Sequence, residues 1–339
     1  MAAVEGMVSV VVVNWNGRER LARCLPAVRR QTYRPFEILV VDNGSADGSA
    51  QLVAAEFPDV RLLRSPRNLG FAGGTNLGIR AARGEYVATL NNDAEPEPAW
   101  LAEMVRAAES SPRVGMVAAK MLLLRRPDVI DSAGFCLDRA GIAWDRRSGE
   151  ADRGPEPLGG PVGPCAGAAL YRRAMLEEVG LFDEDFFLYL EDVDLGWRAR
   201  LAAWECAYAP AARVYHEHSA SAGEDSPWKR YHLGRNKLWA IAKNYPAPQL
   251  YVYLPAVALY DTLAALAYLL APPSPATPLA SRLAAVRGRL AGLLGLPRTL
   301  GKRREVQRRR RLSGREEAAL LAPLAPPWAV YRRYAHLGK

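Results

Sequence analysis

The sequence predicts an α/β fold, a mixed and mainly parallel sheet flanked by helices, and three observations carry that expectation. Residues 8–13 are an almost pure valine run, too apolar for a wetted face, as a parallel strand covered on both sides requires. A second apolar run, 37–41, follows a segment in which Leu21, Leu25 and Val28 recur at helical spacing, so strand, helix and strand alternate. That run ends in Asp42, and a third, 86–90, ends in Asn91, Asn92 and Asp93. Open α/β sheets bind their ligands at such strand ends.

The chain has 339 residues, half of them hydrophobic, enough for one large core and an appendage. Cys24, Cys136, Cys165 and Cys206 are far apart and unpaired in spacing, which suggests neither a disulfide framework nor a zinc cluster and favours a reducing, cytosolic setting. The apolar run near the N-terminus lacks a basic lead and a small-residue cleavage pattern, so no signal peptide is expected. Of the net charge of +9, residues 282–315 hold twelve Arg or Lys against Glu305, a net of +11, leaving −2 for the remainder. The basic charge is therefore local, as in a nucleic-acid arm or a membrane-surface anchor.

Taken in order, Asn14-Trp15-Asn16-Gly17 ends the first strand, and Pro26 is expected to shorten or kink the first helix. Asp42 and a glycine turn lead into a helix around Leu52, Val53 and Phe57. Asp42 suits either a base N–H or ribose hydroxyl, or a helix cap. A third strand, 60–64, precedes Asn68 and a run with Gly70, Gly73 and Gly74, placed ahead of a helix where backbone N–H groups can approach a phosphate or sugar. This spacing matches neither the dinucleotide fingerprint nor the nucleoside-triphosphate loop. Asp93 between strand and turn suits a divalent cation that keeps positions for water and phosphate, or else a plain turn.

Trp100, Leu101, Met104, Val105 and Ala108 give an amphipathic helix, and 114–118 a strand. Residues 125–164, weakly periodic, read as hairpins and loops roofing the site. The small residues of 165–171 read as a strand in which Gly167 permits close approach of a bulky group or of the sheet itself. Glu191, Asp192 and Asp194 crowd the start of a helix beside an aromatic run, which is costly unless they serve a ligand or the helix dipole. His216 and His218 share one face of a late strand, where an imidazole reaching the Asp93 edge completes a metal site.

The ordered set Val-Val-Val-Asn-Trp-Asn-Gly, Val-Val-Asp-Asn-Gly-Ser-Ala-Asp-Gly-Ser, Asn-Leu-Gly-Phe-Ala-Gly-Gly-Thr-Asn, Leu-Asn-Asn-Asp-Ala, Gly-Ala-Ala-Leu-Tyr-Arg-Arg, Tyr-Leu-Glu-Asp-Val-Asp-Leu-Gly-Trp-Arg and Tyr-His-Glu-His-Ser-Ala-Ser spans most of residues 7–240. It resembles the family 2 inverting glycosyltransferases of GT-A fold, in particular the rhamnosyltransferase-like branch of bacterial cell-surface polysaccharide synthesis. The resemblance implies that Asp42 holds base or ribose, that Asn14 frames the base, and that Asn68, Gly73, Asn76, Asn91 and Asn92 border the nucleotide sugar. It makes Asp93 the metal carboxylate of an Asp-x-Asp motif whose first position is Asn91 here. His216 becomes the distal ligand for Mg²⁺ or Mn²⁺, with His218 its rival. Asp192 becomes the base, with Glu191 its rival, and Gly167, Trp197 and Arg198 belong to the acceptor side. The implied partners are a nucleotide diphosphate sugar and a glycan or lipid-linked acceptor, with no nucleic acid.

Residues 1–245 are expected to form the catalytic domain and 246–339 a helical, basic, membrane-associated extension at the inner face of the cytoplasmic membrane. Residues 250–271 reach about 33 Å as a helix, enough to cross a bilayer, but Pro255 and Asp261 make an interfacial or buried helix an equal alternative. Gly288, Gly292 and Gly295 are expected to interrupt the helix that follows. A nucleotidyltransferase would need a basic glycine loop directly after the first strand, which Asn14 to Gly17 do not supply. A basic binding protein would leave Asp93 and the 191–194 acids without purpose.

Overall fold

A computed structural model describes residues 3–153, 160–217, 226–270 and 278–326. The chain forms two compact units, Met1–Phe135 with Asp145–His218, and Cys136–Trp144 with Ser219–Lys339. The second unit begins earlier in the chain than residue 246.

In the first unit the elements run β1 (Val4–Asn14), α1 (Arg18–Arg29), β2 (Phe36–Asn43), α2 (Ser49–Glu56), β3 (Arg61–Ser65), α3 (Gly70–Ala81), β4 (Gly84–Asn91), β5 (Ala94–Pro96), α4 (Trp100–Ala108), β6 (Val114–Leu123) and β7 (Arg126–Ser132). A short ribbon of β8 (Phe135–Leu137) and β9 (Ala143–Asp145) follows in the chain, its residues 136–144 counted with the second unit, and the first unit resumes with β10 (Ala168–Arg172), α5 (Arg173–Val179), α6 (Glu191–Leu201) and β11 (Glu205–His216). The sheet order is β3-β2-β1-β4-β10-β6-β11-β5, with β7 beside β6. Strands β1 to β4 pair parallel where they meet, as do β6 and β11, whereas β10 runs antiparallel between β4 and β6.

Both sheet faces are covered, which is why β1 over 10–13 and β2 over 38–41 are continuously apolar. Val8, Val10 and Val12 face Leu21, Leu25 and Trp100 in one core layer, and Val11 and Leu39 join Met175, Phe182 and Leu195 in the other. The α4 periodicity is realised, since Trp100, Leu101, Met104, Val105 and Ala108 are all buried. Pro26 lies inside α1 without ending it. The glycines placed ahead of a helix sit differently: α3 begins at Gly70, so Gly73 and Gly74 are inside it. A side chain at Gly74 would strike Val13 of β1, so this glycine serves helix-to-sheet approach rather than a phosphate cradle.

The second unit holds α7 (Pro227–Asn244), α8 (Ala247–Leu270), α9 (Leu279–Leu294), α10 (Leu296–Arg309) and α11 (Gly314–Leu320). Gly288 and Gly292 do not interrupt α9. With Ser281, Ala284 and Ala285 they make its buried face, and any side chain at Gly288 would collide with the Tyr231 carbonyl of α7.

Candidate active site

Strand register assembles the first part of the site at the carboxyl edge of the sheet. Asn14 of β1 stands beside Asp42 of β2, and Val13 beside Asn91 of β4. The Asn92 amide donates to Asn14 Oδ1 at 2.7 Å, and Asn14 Nδ2 to the Ser45 hydroxyl at 3.3 Å. Asp42 is buried and its Oδ1 has no hydrogen-bond partner among the described residues, an arrangement that costs stability and that a ligand N–H or hydroxyl would relieve. Asn43, which sequence reasoning passed over, donates to Asn68 Oδ1 at 3.1 Å and to the Gly70 carbonyl at 2.9 Å, and accepts from Leu69 N. It thereby pins the start of α3 to β2. Gly70, at φ +72°, lets the Phe187 carbonyl pack where a side chain would otherwise be.

The second part is a carboxylate–imidazole–carboxylate chain. His216, at the end of β11, stands opposite Ala94 of β5, and its Nε2 lies 3.2 Å from Asp93 Oδ1. Its Nδ1 is 2.7 Å from Asp131 Oδ2, at the end of β7. The Asn91 amide is 3.2 Å from the same Nε2. Burial opposes charge on the ring, but the bonds to Asp131 and Asp93 prevail and push the His216 pKa up to about 10. Burial likewise raises Asp93, yet the bond and charge of His216, with Arg20 beyond, bring its carboxyl below the ordinary value. Asp131 was missed because 125–164 lacks periodicity. Its one signal is Val129-Ile130-Asp131, the apolar-then-acid pattern that also announces Asp42.

Asp93 Oδ1 is buried, with the His216 ring 3.2 Å away. One buried carboxylate oxygen beside an imidazole fits a divalent ion held by two protein groups, with the remaining positions left for phosphate and water. Among the described residues no group of three or more His, Cys, Asp or Glu forms a fuller cage.

The third part is the start of α6. Phe187, Tyr189 and Leu190 all have positive φ, 65°, 67° and 65°, uncommon for side chains of this size and typical of strain held at functional sites. The chain so turned presents Asp192, whose Oδ2 accepts from Ala166 N at 3.1 Å and whose Oδ1 accepts from Val193 N at 2.8 Å. Burial raises the Asp192 pKa against these two bonds. Glu191 is pushed further up, by burial and then by the Asp192 charge, and its Oε2 is buried without a hydrogen-bond partner among the described residues. Gly167 links the parts: its carbonyl accepts from Asn91 N at 2.9 Å, one residue from the Ala166 N–H that holds Asp192. Burial raises the neighbouring Cys165 thiol, and the charges of Asp145, Asp192 and Asp131 raise it further.

Some residues assigned from the sequence have other work. Asn76 spends its amide on the Phe182 backbone and on Glu184 Oε1 at 2.9 Å, so it staples that loop to α3 instead of facing a sugar. Gly73 is buried within α3. Arg198 pairs with Asp194 at 2.9 Å and donates to the carbonyls of Val179, Gly180 and Leu181. Like the fully buried Trp197, it braces α6 from inside. His218 lies outside the described residues.

Comparison with known proteins agrees with this geometry. The profile of Glycosyl transferase family 2 matches residues 9–180. An N-acetylglucosaminyl-diphospho-decaprenol L-rhamnosyltransferase of Mycobacterium tuberculosis is 35% identical over 242 residues, covering 64% of this chain and 78% of that protein. Among solved structures, a Pyrobaculum calidifontis mannosyltransferase in complex with GDP-mannose and Mn²⁺ has TM-score 0.53 at 20% identity, covering 88% of this chain and 84% of the other. Staphylococcus aureus TarS in complex with UDP-GlcNAc has TM-score 0.55 at 16% identity, covering 89% and 90%. Strand-end acids, a helix-start acid pair and a late imidazole thus stand on a GT-A sheet, and the chain belongs to glycosyl transferase family 2.

Proposed function

We propose that this glycosyltransferase moves L-rhamnose from dTDP-rhamnose to a lipid-linked N-acetylglucosaminyl diphosphate at the inner face of the cytoplasmic membrane. The observation that carries the reading is that the β4 end leading to Asp93, itself paired with His216, is bonded at Asn91 N to the Gly167 carbonyl, one residue from the Ala166 N–H that holds Asp192. The mycobacterial relative, whose name specifies both sugar and acceptor, supports the substrate choice.

Asp42 Oδ1 takes the base N–H or a ribose hydroxyl, within the frame that Asn14, Asn92 and Asn43 hold rigid. Asp93 and His216 would hold Mg²⁺ or Mn²⁺, which supplies charge neutralisation to the departing diphosphate when bound. Asp192, fixed by two backbone N–H groups and half-buried, serves as the base on the acceptor side in this reading. It removes the proton of the acceptor hydroxyl as that oxygen bonds to the anomeric carbon. The bond from carbon to diphosphate oxygen breaks on the opposite face, so configuration inverts. The raised pKa suits the role, because a stronger base accepts the proton more readily.

Rhamnosyl transfer from dTDP-rhamnose to a short-chain lipid diphosphate acceptor tests the reading. The wild type should form the product, and Asp192→Asn should lose about 10²- to 10⁴-fold in rate while still binding donor with Mn²⁺. Full transfer by Asp192→Asn removes the base assignment, and transfer from another sugar nucleotide alone removes the donor.

A further inference from the structure

Helix α8 turns an apolar face outward. Tyr251, Val252, Leu259 and Leu270 are 74%, 69%, 56% and 79% exposed, a continuous surface of the kind that soluble chains cover. Its other side is fastened. Val257 is buried, and Asp261, midway along, meets Arg289 Nε of α9 at 3.0 Å and lies 3.7 Å from Lys237 Nζ of α7. Helix α9 continues the pattern: Leu279, Leu283, Leu290 and Leu294 are exposed, opposite the small residues buried against α7.

A stretch of α8, Ala247–Ala267, is long and apolar enough to cross a bilayer. The Asp261 contacts argue against crossing. They hold Lys237 and Arg289 at the depth of the helix midpoint, so a spanning α8 would draw both cations, and the polar length of α7, into hydrocarbon. A helix lying flat keeps that side in water and headgroups while its leucines reach the acyl boundary. The net charge of +11 over residues 282–315 selects the occupant, an anionic phospholipid surface, over a second copy of the same basic segment.

We propose that α8, with the outer leucines of α9, lies in the plane of an anionic bilayer and does not span it. This deepens the membrane association proposed above and is independent of which sugar is transferred.

The full-length chain is mixed with phosphatidylcholine vesicles, with or without phosphatidylglycerol. Nitroxides are placed singly at Val252→Cys, Leu259→Cys, Leu263→Cys and Leu270→Cys, with the native cysteines replaced by serine. The expected result is at least about tenfold more binding to the anionic vesicles and four labels at one shallow depth, about 5–10 Å below the headgroups. Depths that rise to the bilayer centre at 259 and 263 and fall again at 252 and 270 overturn the proposal, as does absence of vesicle binding with a dimer in solution. The unmodified chain gives a second reading: alkaline carbonate should release it from membranes, and retention means spanning. Rhamnosyl transfer to a soluble acceptor analogue is assayed alongside, so loss of that activity with shallow labels rejects the transfer reading alone.

Discussion

An imidazole whose Nδ1 is bonded to a carboxylate gives its proton to that bond, and its Nε2 then faces outward as a ligand once the ring is neutral. Asp131, 2.7 Å from His216, fixes the orientation of the ring with Nε2 toward Asp93, and a bound cation would take the place of the Nε2 proton that the two carboxylates favour. Asp131→Asn should therefore weaken Mn²⁺ binding about 10- to 100-fold, measured by calorimetric titration in the presence of dTDP, with the fold unchanged by circular dichroism. An unchanged Kd would reduce Asp131 to packing. Asp192 makes a second test. Because burial raises its pKa, the ionised form disappears as pH falls through a range above the ordinary carboxylate value of about 3.9. The acid limb of kcat/KM should lie above that value, reporting the Asp192 and Glu191 pair together, and a profile flat down to about pH 4 would contradict it. Asp42, Asp93 and Asp192 were readable because each follows an apolar strand or opens a helix. Asp131 and Asn43 acquire their meaning from partners 85 and 25 residues away, which spacing cannot reveal.

Glycine within a helix carries opposite meanings, and only the neighbour decides between them. Taken alone, Gly288 and Gly292 read as interruptions of α9, and Gly73 and Gly74 as backbone that approaches a phosphate or sugar ahead of a helix, since sequence gives flexibility and omits the surface being approached. In the fold, Gly74 admits Val13 and Gly288 admits the Tyr231 backbone. Gly301 of α10 has nothing within 4 Å of the place a side chain would take. Alanine at the two sites should therefore act in opposite directions. Gly288→Ala forces α7 and α9 apart, and overpacking of about 1–3 kcal/mol outweighs the roughly 1 kcal/mol that alanine adds in helix propensity. Gly301→Ala keeps only the gain. Thermal denaturation of the full-length variants should show one lowered and one raised transition, and equal shifts would mean that close packing of α7 on α9 contributes nothing. The strand elements were more legible, because a sheet covered on both faces demands continuous apolar runs and β1, β2 and β4 have them.

Chemistry and charge are divided along the chain. The carboxylates, amides and imidazole of the site belong to the first unit, whereas residues 282–315, with a net of +11, belong to the second and leave the rest of the chain at −2. Under the proposed function, donor binding rests on buried groups such as Asp42 and Asp93, which salt screens weakly, while the proposed attraction of Arg and Lys to lipid is strongly screened once the Debye length falls to about 10 Å or less. Each such cation near an anionic surface adds about 1 kcal/mol, so even a few screened contacts change occupancy many-fold. Raising KCl from about 0.05 M to about 0.5 M should leave hydrolysis of the sugar nucleotide nearly constant and reduce transfer to a vesicle-borne lipid diphosphate by an order of magnitude or more. Recovery of that transfer with a water-soluble acceptor at high salt would locate the loss in membrane docking. A parallel fall in both reactions would mean that the basic segment serves the catalytic step itself.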